Sequence, residues 1–267
     1  MYRIEEISLA DTQRLIEYKL DQAYGAEFDI KGFDYPWIAT SRSWSSSDRI
    51  LDVGAAYSPL PIHLADSNGS EVWAVDDFGQ GSDEAFWTRS KDPQEHIQAN
   101  PQVKYVVERL GDPANSSLPE NYFDCIYSAS TLEHVPAQQT EAVWRHMDRL
   151  LKPGGTMLHA VDIGLPTYRG VWSFGKALAI ELIYPILPKS FKIKYLYHTP
   201  SNYARFIMAT LGARHTRLNQ IGVVKMVIDP EVMLEPPQWT YNRIVKDGIR
   251  SHRHVRVTSL LIKLNKI

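Results

Sequence analysis

From Arg49 onward, short apolar runs alternate with longer helical stretches. The runs at 49–53, 71–76, 103–108, 123–128 and 155–162 are apolar and rich in β-branched residues, as strands covered on both faces should be. Their alternation with helical patterns predicts βαβ units and a parallel sheet. A helix is predicted from about Gln138 to Leu151, with Val143, Met147, Leu150 and Leu151 on one face. Lys152-Pro153-Gly154-Gly155 then stops it and turns into the next strand.

The flanks are patterned differently. Ser8 can cap a helix running roughly from Leu9 to Gln22, and a second short helix is predicted to start near Tyr35 or Pro36. Both would lie outside the central sheet. After Asp162 comes the aromatic-rich run VWSFGKALAIELIYPILP, broken by Pro185 and Pro188. PSNYARFIMATLGA reads as a helix ending at Gly212, and RHTRLNQIG and VTSLLIKLNK read as two closing strands. With no linker or repeat, 1–267 reads as one domain. It divides into an N-terminal helical cap (1–48), a ligand-binding core (49–162), and a substrate cap with closing strands (163–267).

Composition narrows the class. The chain has 267 residues, enough for a sizeable core, with 44% hydrophobic and 22% charged residues, the balance of an ordinary globular protein. The start, MYRIEEISLADTQ, has no apolar run, so no signal peptide is expected, and no stretch approaches a membrane-spanning length. One cysteine, Cys125, rules out a disulfide framework within the chain; a cytoplasmic, reducing setting is expected. The net charge of −2 is uneven: seven Lys or Arg stand against Asp247 in 242–267. That basic tail can meet an anionic substrate or a membrane surface; a solvated face of a closing hairpin is the preferred reading.

Candidate chemistry gathers at the strand ends. RILDVGAAYSPLPIHLA, Arg49 to Ala65, is a strand, a small-residue turn and a helix start. Open α/β sheets present a backbone loop to a nucleotide-like cofactor in this way. Gly54 suits close backbone approach, and Ser58 and Pro59 suit a cap and a first helical position. About 20 residues on, where a ribose-binding acid belongs, EVWAVDD ends in Asp76 and Asp77. Gly111-Asp112 follows the third strand, FDCIYSASTLEHVP the fourth, and RLLKPGGTMLHAVD leads into the fifth.

These blocks, in this order and spacing, resemble the class I S-adenosylmethionine-dependent methyltransferases, the branch acting on small molecules in particular. The resemblance implies an α/β, Rossmann-like, three-layer αβα sandwich whose seven-strand sheet is mostly parallel with an antiparallel last strand. It implies S-adenosylmethionine as methyl donor, held by Asp52, Gly54, Ala55, Ala56, Asp76, Asp77, Asp112 and Ser128. Asp76 would accept from both ribose hydroxyls, with Asp77 as its fallback. Asp112 would accept from the adenine amino group, and Asp52 would orient the loop or the cofactor amine. The family usually has Gly at the positions of Ala56 and Ser58. The departure is read as tolerable, because this cofactor has no pyrophosphate and its loop needs small side chains more than positive φ. The N-terminal helices could cover the cofactor.

Methyl transfer needs an aligned acceptor, exclusion of water and often a base. His134 is the candidate base, since histidine titrates near neutral pH; in some sugar and small-molecule O-methyltransferases a histidine at the matching position serves so. Asp162 is its expected partner, and Glu133 lies just before it. His159 alternates onto the face opposite Asp162 and is left out. No spacing suggests a metal site, and none is expected; His252 and His254 read as a surface pair. The expected reaction is O-methylation of a small molecule, a sugar or polysaccharide precursor being one candidate. The aromatic segment Tyr168 to His198 is open to reading as a pocket, a lid, a membrane-resting surface or a packed cap. The alternatives are a partner subunit that binds cofactor weakly and a nicotinamide-dependent oxidoreductase. Nucleic-acid methylation is not expected, and the oligomeric state is left open.

Overall fold

The computed structural model describes residues 2–4, 31–79, 92–136, 138–166 and 255–266, with isolated positions between 179 and 211. The predicted helix Leu9–Gln22, the aromatic segment 168–198 and the strand RHTRLNQIG lie outside the described residues or nearly so. The described helices are α1 (Lys31–Thr40), α2 (Leu60–Asn68), α3 (Pro93–Ala99) and α4 (Thr140–Leu150). The strands are β1 (Tyr2–Ile4), β2 (Arg49–Val53), β3 (Glu71–Asp76), β4 (Val103–Val107), β5 (Phe123–Ala129), β6 (Leu151–Pro166) and β7 (Val255–Lys266).

They form one seven-stranded sheet in the order β1-β7-β6-β5-β2-β3-β4. Neighbours from β4 through β6 pair parallel; β7 runs antiparallel to β6, and β1 antiparallel to β7. The order matters for function. From β2 the crossover through α2 leads to β3 on one side, and from β5 the crossover through α4 leads to β6 on the other. Right-handed crossovers in opposite directions put α2 and α4 on opposite faces, which makes three layers. They also leave a crevice at the carboxyl ends of β2 and β5, where open α/β sheets bind ligands.

The five predicted core strands are present, and their differences from expectation have physical causes. Helix α1 begins at Lys31, not near Pro36. The missing N–H of Pro36 costs it a hydrogen bond, and burial of Trp37 and Ile38 beside it offsets that loss. The KPGG stop does not separate helix from strand. The chain enters β6 directly at Leu151, and the register against β5 jumps from Phe123↔Leu151 to Cys125↔Thr156. The turn is thus a bulge inside the strand, with Gly154 at φ 79°. Tyr2–Ile4 also corrects the reading of the N-terminal segment as a cap alone: it supplies the edge strand beside β7.

The core is continuous through the sheet. Ile50, Leu51, Phe123, Ile126, Leu158 and Leu264 are fully enclosed. Val143, Met147 and Leu150 of α4 are buried as predicted, together with Trp144 and His146, which the pattern did not single out. At the amino-terminal end of the sheet, Glu71 accepts from Lys104 Nζ (2.8 Å), Trp73 Nε1 (2.8 Å) and Tyr122 Oη (2.9 Å). These bonds, that of Lys104 foremost, hold the Glu71 carboxyl down at about 2. Cys125 is buried, and burial pushes its thiol up to about 12, so it is inert packing. No helix among the described residues is long and apolar enough to cross a membrane.

His159 gives the fold a pH dependence. It is fully enclosed, bonds Ser128 Oγ through Nδ1 (2.8 Å), and meets the Trp144 ring edge-on at 4.8 Å. Burial depresses its pKa to about 3. The unfolded chain takes up a proton near pH 6.5, whereas the folded chain refuses it until about 3. This contribution is therefore complete above 6.5 and is lost progressively as pH falls towards 3. The urea midpoint should drop between pH 7 and pH 4.5, and His159→Leu should flatten that drop even though it lowers stability at pH 7. An equal drop in the variant would show that other groups carry it.

Candidate functional site

Among the described residues, three of the four non-glycine residues with positive φ lie just beyond strands at this crevice: Ala56 (φ 41°) after β2, Phe78 (φ 47°) after β3 and Ser130 (φ 47°) after β5. Each costs roughly 1 kcal/mol in the left-handed region, and such strain concentrates at functional sites. Ala56 corrects one expectation. The turn after β2 does need positive φ, at a position where glycine is the easy residue.

The turn is held from both sides. Gly54 N–H donates to Val75 O at 2.8 Å, and Ala56 N–H donates to Asp76 Oδ2 at 3.0 Å. On the β5 side, Thr131 Oγ1 donates to Gly54 O at 3.2 Å. Gly54, at φ 74°, has no room for a side chain: a Cβ there would fall 2.0 Å from Thr131 Cγ2. What approaches Gly54 closely is therefore Thr131 of the neighbouring loop, where a ligand was expected. Ser58 does not cap α2 conventionally; its N–H donates to Ala55 O, and Leu60 N–H donates to its Oγ at 3.3 Å.

The predicted acids separate into different roles. Asp52 is 2% exposed and lies beside Tyr127 in the β2–β5 register. Burial first, then the Asp52 charge, pushes the Tyr127 hydroxyl well up, and the same two causes take Tyr105 to about 12. Asp76 ends β3 and accepts from the backbone amides of Ala56 and Phe78 (2.6 Å). Its pKa is raised by burial, against the pull of those two amides. Each carboxylate oxygen has a second lone pair for a further donor. Asp77 is taken up elsewhere: Oδ2 accepts from Arg109 Nε (2.9 Å) and Nη2 (2.7 Å). Asp112 is exposed and closes a local turn, accepting from Ala114 N–H and Asn115 Nδ2. Its loop is tied to α4, because Gly111 N–H donates to His146 Nδ1 at 3.1 Å.

Ser128 is fully enclosed and its hydroxyl is bonded to His159, so its side chain is turned to the core. The turn Leu132–His134 follows β5 and splits its two polar residues. His134 is exposed, whereas both Glu133 carboxylate oxygens are enclosed. Glu133 is thus turned into the protein, and His134 alone of the pair faces the surface. Asp162 stands in β6 two residues past Ala160, opposite Ser259 of β7; its side chain lies outside the described part.

Two features were not foreseen. Tyr57 packs against Phe78 (5.6 Å) and His96 (5.2 Å), and His96 against Tyr105 (5.4 Å), an aromatic wall beside Asp76. Asp34 of α1, 0% exposed, accepts from Ser130 Oγ at 3.1 Å. These residues sit outside any recurring spacing, so only the fold brings them to the rim.

The donor set decides which cofactor suits the rim. Asp52 and Asp76 stand there as acceptors, and Arg109 is paired with Asp77. Such a rim suits a ribosyl cofactor bearing cationic sulfonium and ammonium groups; among the described residues Arg109, the base noted beside it, is already paired with an acid. Fold, site and family match together support a class I, S-adenosylmethionine-dependent methyltransferase. Residues 51–159, less than half of the chain, match the family described as "Methyltransferase domain". The matched stretch carries that domain. No curated sequence matches the chain.

Among solved structures, geranyl diphosphate methyltransferase in complex with GPP and sinefungin is similar at 14% identity and TM-score 0.48, over 100% of this chain and 89% of that one. The geranyl diphosphate C-methyltransferase of Streptomyces coelicolor A3(2) is 13% identical with TM-score 0.47, over 86% of this chain and 75% of that one. Haemonchus contortus phosphoethanolamine N-methyltransferase 2 is 17% identical with TM-score 0.47, over 85% of this chain and half of that one. Among the described residues, no three His, Cys, Asp or Glu side chains gather to hold a metal.

Proposed function

We propose that the chain transfers a methyl group to a hydroxyl of a small molecule, with His134 as general base; sugars and polysaccharide precursors are the first acceptors to offer. S-adenosylmethionine supplies a methyl carbon already bonded to a good leaving group. Asp76 would hold its ribose, Asp52 its amine side, and the backbone of Gly54, Ala55 and Ala56 would line it. The chain's remaining tasks are to align the acceptor and to remove one proton. The observation that supports His134 is its exposure on the turn after β5, three residues past Thr131, which grips the cofactor turn. Glu133, enclosed beside it, would hold that turn in place, and Asp162 would orient the imidazole or bind the acceptor.

His134→Ala should lower turnover at least tenfold, the usual floor for losing a base, with S-adenosylhomocysteine affinity unchanged. The check is transfer of labelled methyl from the cofactor to nucleotide-sugars and oligosaccharides. Unaltered turnover would remove His134 from the mechanism. Methylation of amines alone would remove the hydroxyl acceptor.

A second reading draws on Ala56, an alanine held at φ 41°. That strain supports a chain which binds cofactor weakly and serves a partner. Ala56→Gly distinguishes the two. Relief of about 1–2 kcal/mol of strain exceeds the roughly 0.4–1 kcal/mol that glycine costs through the unfolded chain. The variant should therefore be slightly more stable to urea and bind S-adenosylhomocysteine at least as tightly. Weak binding that tightens strongly in the variant would favour the partner reading.

A further inference from the structure

We propose that Asp34 and Ser130 form a positioning pair that holds the cofactor turn in shape from outside the methyltransferase domain; this rests on the methyltransferase reading above. Asp34 belongs to α1 and precedes the matched stretch 51–159. Its carboxylate is 0% exposed and accepts from Ser130 Oγ at 3.1 Å. Burying a carboxylate is costly, and it is tolerated where the charge is bonded.

Ser130 is held by more than this bond. Its N–H donates to Ala160 O of β6 at 2.8 Å while its own φ is +47°. The left-handed conformation aims the chain so that the next residue, Thr131, lies over Gly54. There Thr131 Oγ1 reaches Gly54 O, and its methyl fills the space where a Gly54 Cβ would sit. Gly54 in turn bonds Val75 O, and Ala56 bonds Asp76. One hydrogen-bonded chain therefore runs from α1 through the β5 loop and the β2 turn to the β3 acid. In this proposal Asp34 acts through Ser130. Without the Asp34–Ser130 bond, the strained Ser130 relaxes towards negative φ, Thr131 withdraws from Gly54, and the turn loses its support on that side.

The test is calorimetric titration of the full chain with S-adenosylhomocysteine, at a temperature where every variant is folded, with thermal unfolding measured alongside. Asp34→Ala and Ser130→Ala should each weaken binding about tenfold, as for one charge-assisted hydrogen bond. The double variant should also be about tenfold weaker, since both substitutions break one link. Asp34→Asn keeps an acceptor oxygen and should stay within about threefold. A lowered melting temperature with unchanged affinity, the mark of a purely structural contact, would overturn the proposal. So would losses that multiply in the double variant. Should Asp34→Ala fail to fold, Ser130→Ala and Asp34→Asn decide the matter. A wild-type chain that does not bind S-adenosylhomocysteine would instead overturn the methyltransferase reading itself, and this proposal with it.

Discussion

Replacing Asp76 with alanine should weaken S-adenosylhomocysteine binding by about a hundredfold or more, the largest loss expected from any single side chain. The carboxylate has two tasks. It receives Ala56 N–H (3.0 Å) and Phe78 N–H (2.6 Å), two amides of residues with positive φ. It is also the acid at the strand end from which ribose hydroxyls would be bound. Hydrogen bonds to a charged group contribute roughly 1.5–3 kcal/mol each, so two lost to ligand exceed about 3 kcal/mol. Asp76→Asn separates the tasks. It keeps one acceptor oxygen but places an amide donor against either a backbone N–H or a ribose hydroxyl, so binding should fall less than in the alanine variant. Calorimetry on both variants checks the order. Equal affinity in wild type and Asp76→Ala would move the cofactor off the β3 end altogether.

The second large effect is on stability. Gly54→Ala should destabilise the fold by about 2–5 kcal/mol in urea unfolding, a sizeable fraction of an ordinary domain's total. The added methyl meets Thr131 at 2.0 Å from Cγ2, 2.5 Å from Oγ1 and 2.7 Å from Cβ, and the alanine would also have to hold φ 74°. Overpacking costs about 1–3 kcal/mol and the left-handed backbone about 1–2 kcal/mol. Thr131→Ala added to Gly54→Ala removes the two nearest atoms and leaves the Cβ contact and the φ penalty. The double variant should therefore recover part of the loss, a coupling that separated sites would not show. Simple additivity would mean that Thr131 and Gly54 do not meet.

Much of this molecule was legible before its structure. The five core strands announced themselves by apolar, β-branched runs, because a parallel strand is covered on both faces and must be apolar throughout. The turn after β2 and the acid ending β3 were legible because a cofactor crevice draws on residues next to strand ends, at nearly fixed spacing. Where reading by position failed, the cause was local. The resemblance counts Ser128 among the ligand residues, yet its side chain faces His159 in the core. Alternation tells which residues share a face but not which face is the rim. Asp112 is exposed where the sequence placed it, and the structure adds that its carboxylate also closes its own turn. Glu133 and His134 are neighbours that face opposite ways, a division set by one short turn.

The sequence by itself determined the periodic and the contiguous: the alternation of strands and helices, the turn after β2 with the acid ending β3, and the order of the motif blocks. These follow from backbone geometry and local spacing, which neighbouring residues specify among themselves. Only the tertiary structure decided what depends on distant partners. Asp34 and Ser130 are 96 residues apart, and Gly54 and Thr131 are 77 apart. The antiparallel seat of Tyr2–Ile4 beside Lys266 joins opposite ends of the chain. Contacts of that separation leave no period in the sequence, because what selects each partner is the packing of the sheet between them.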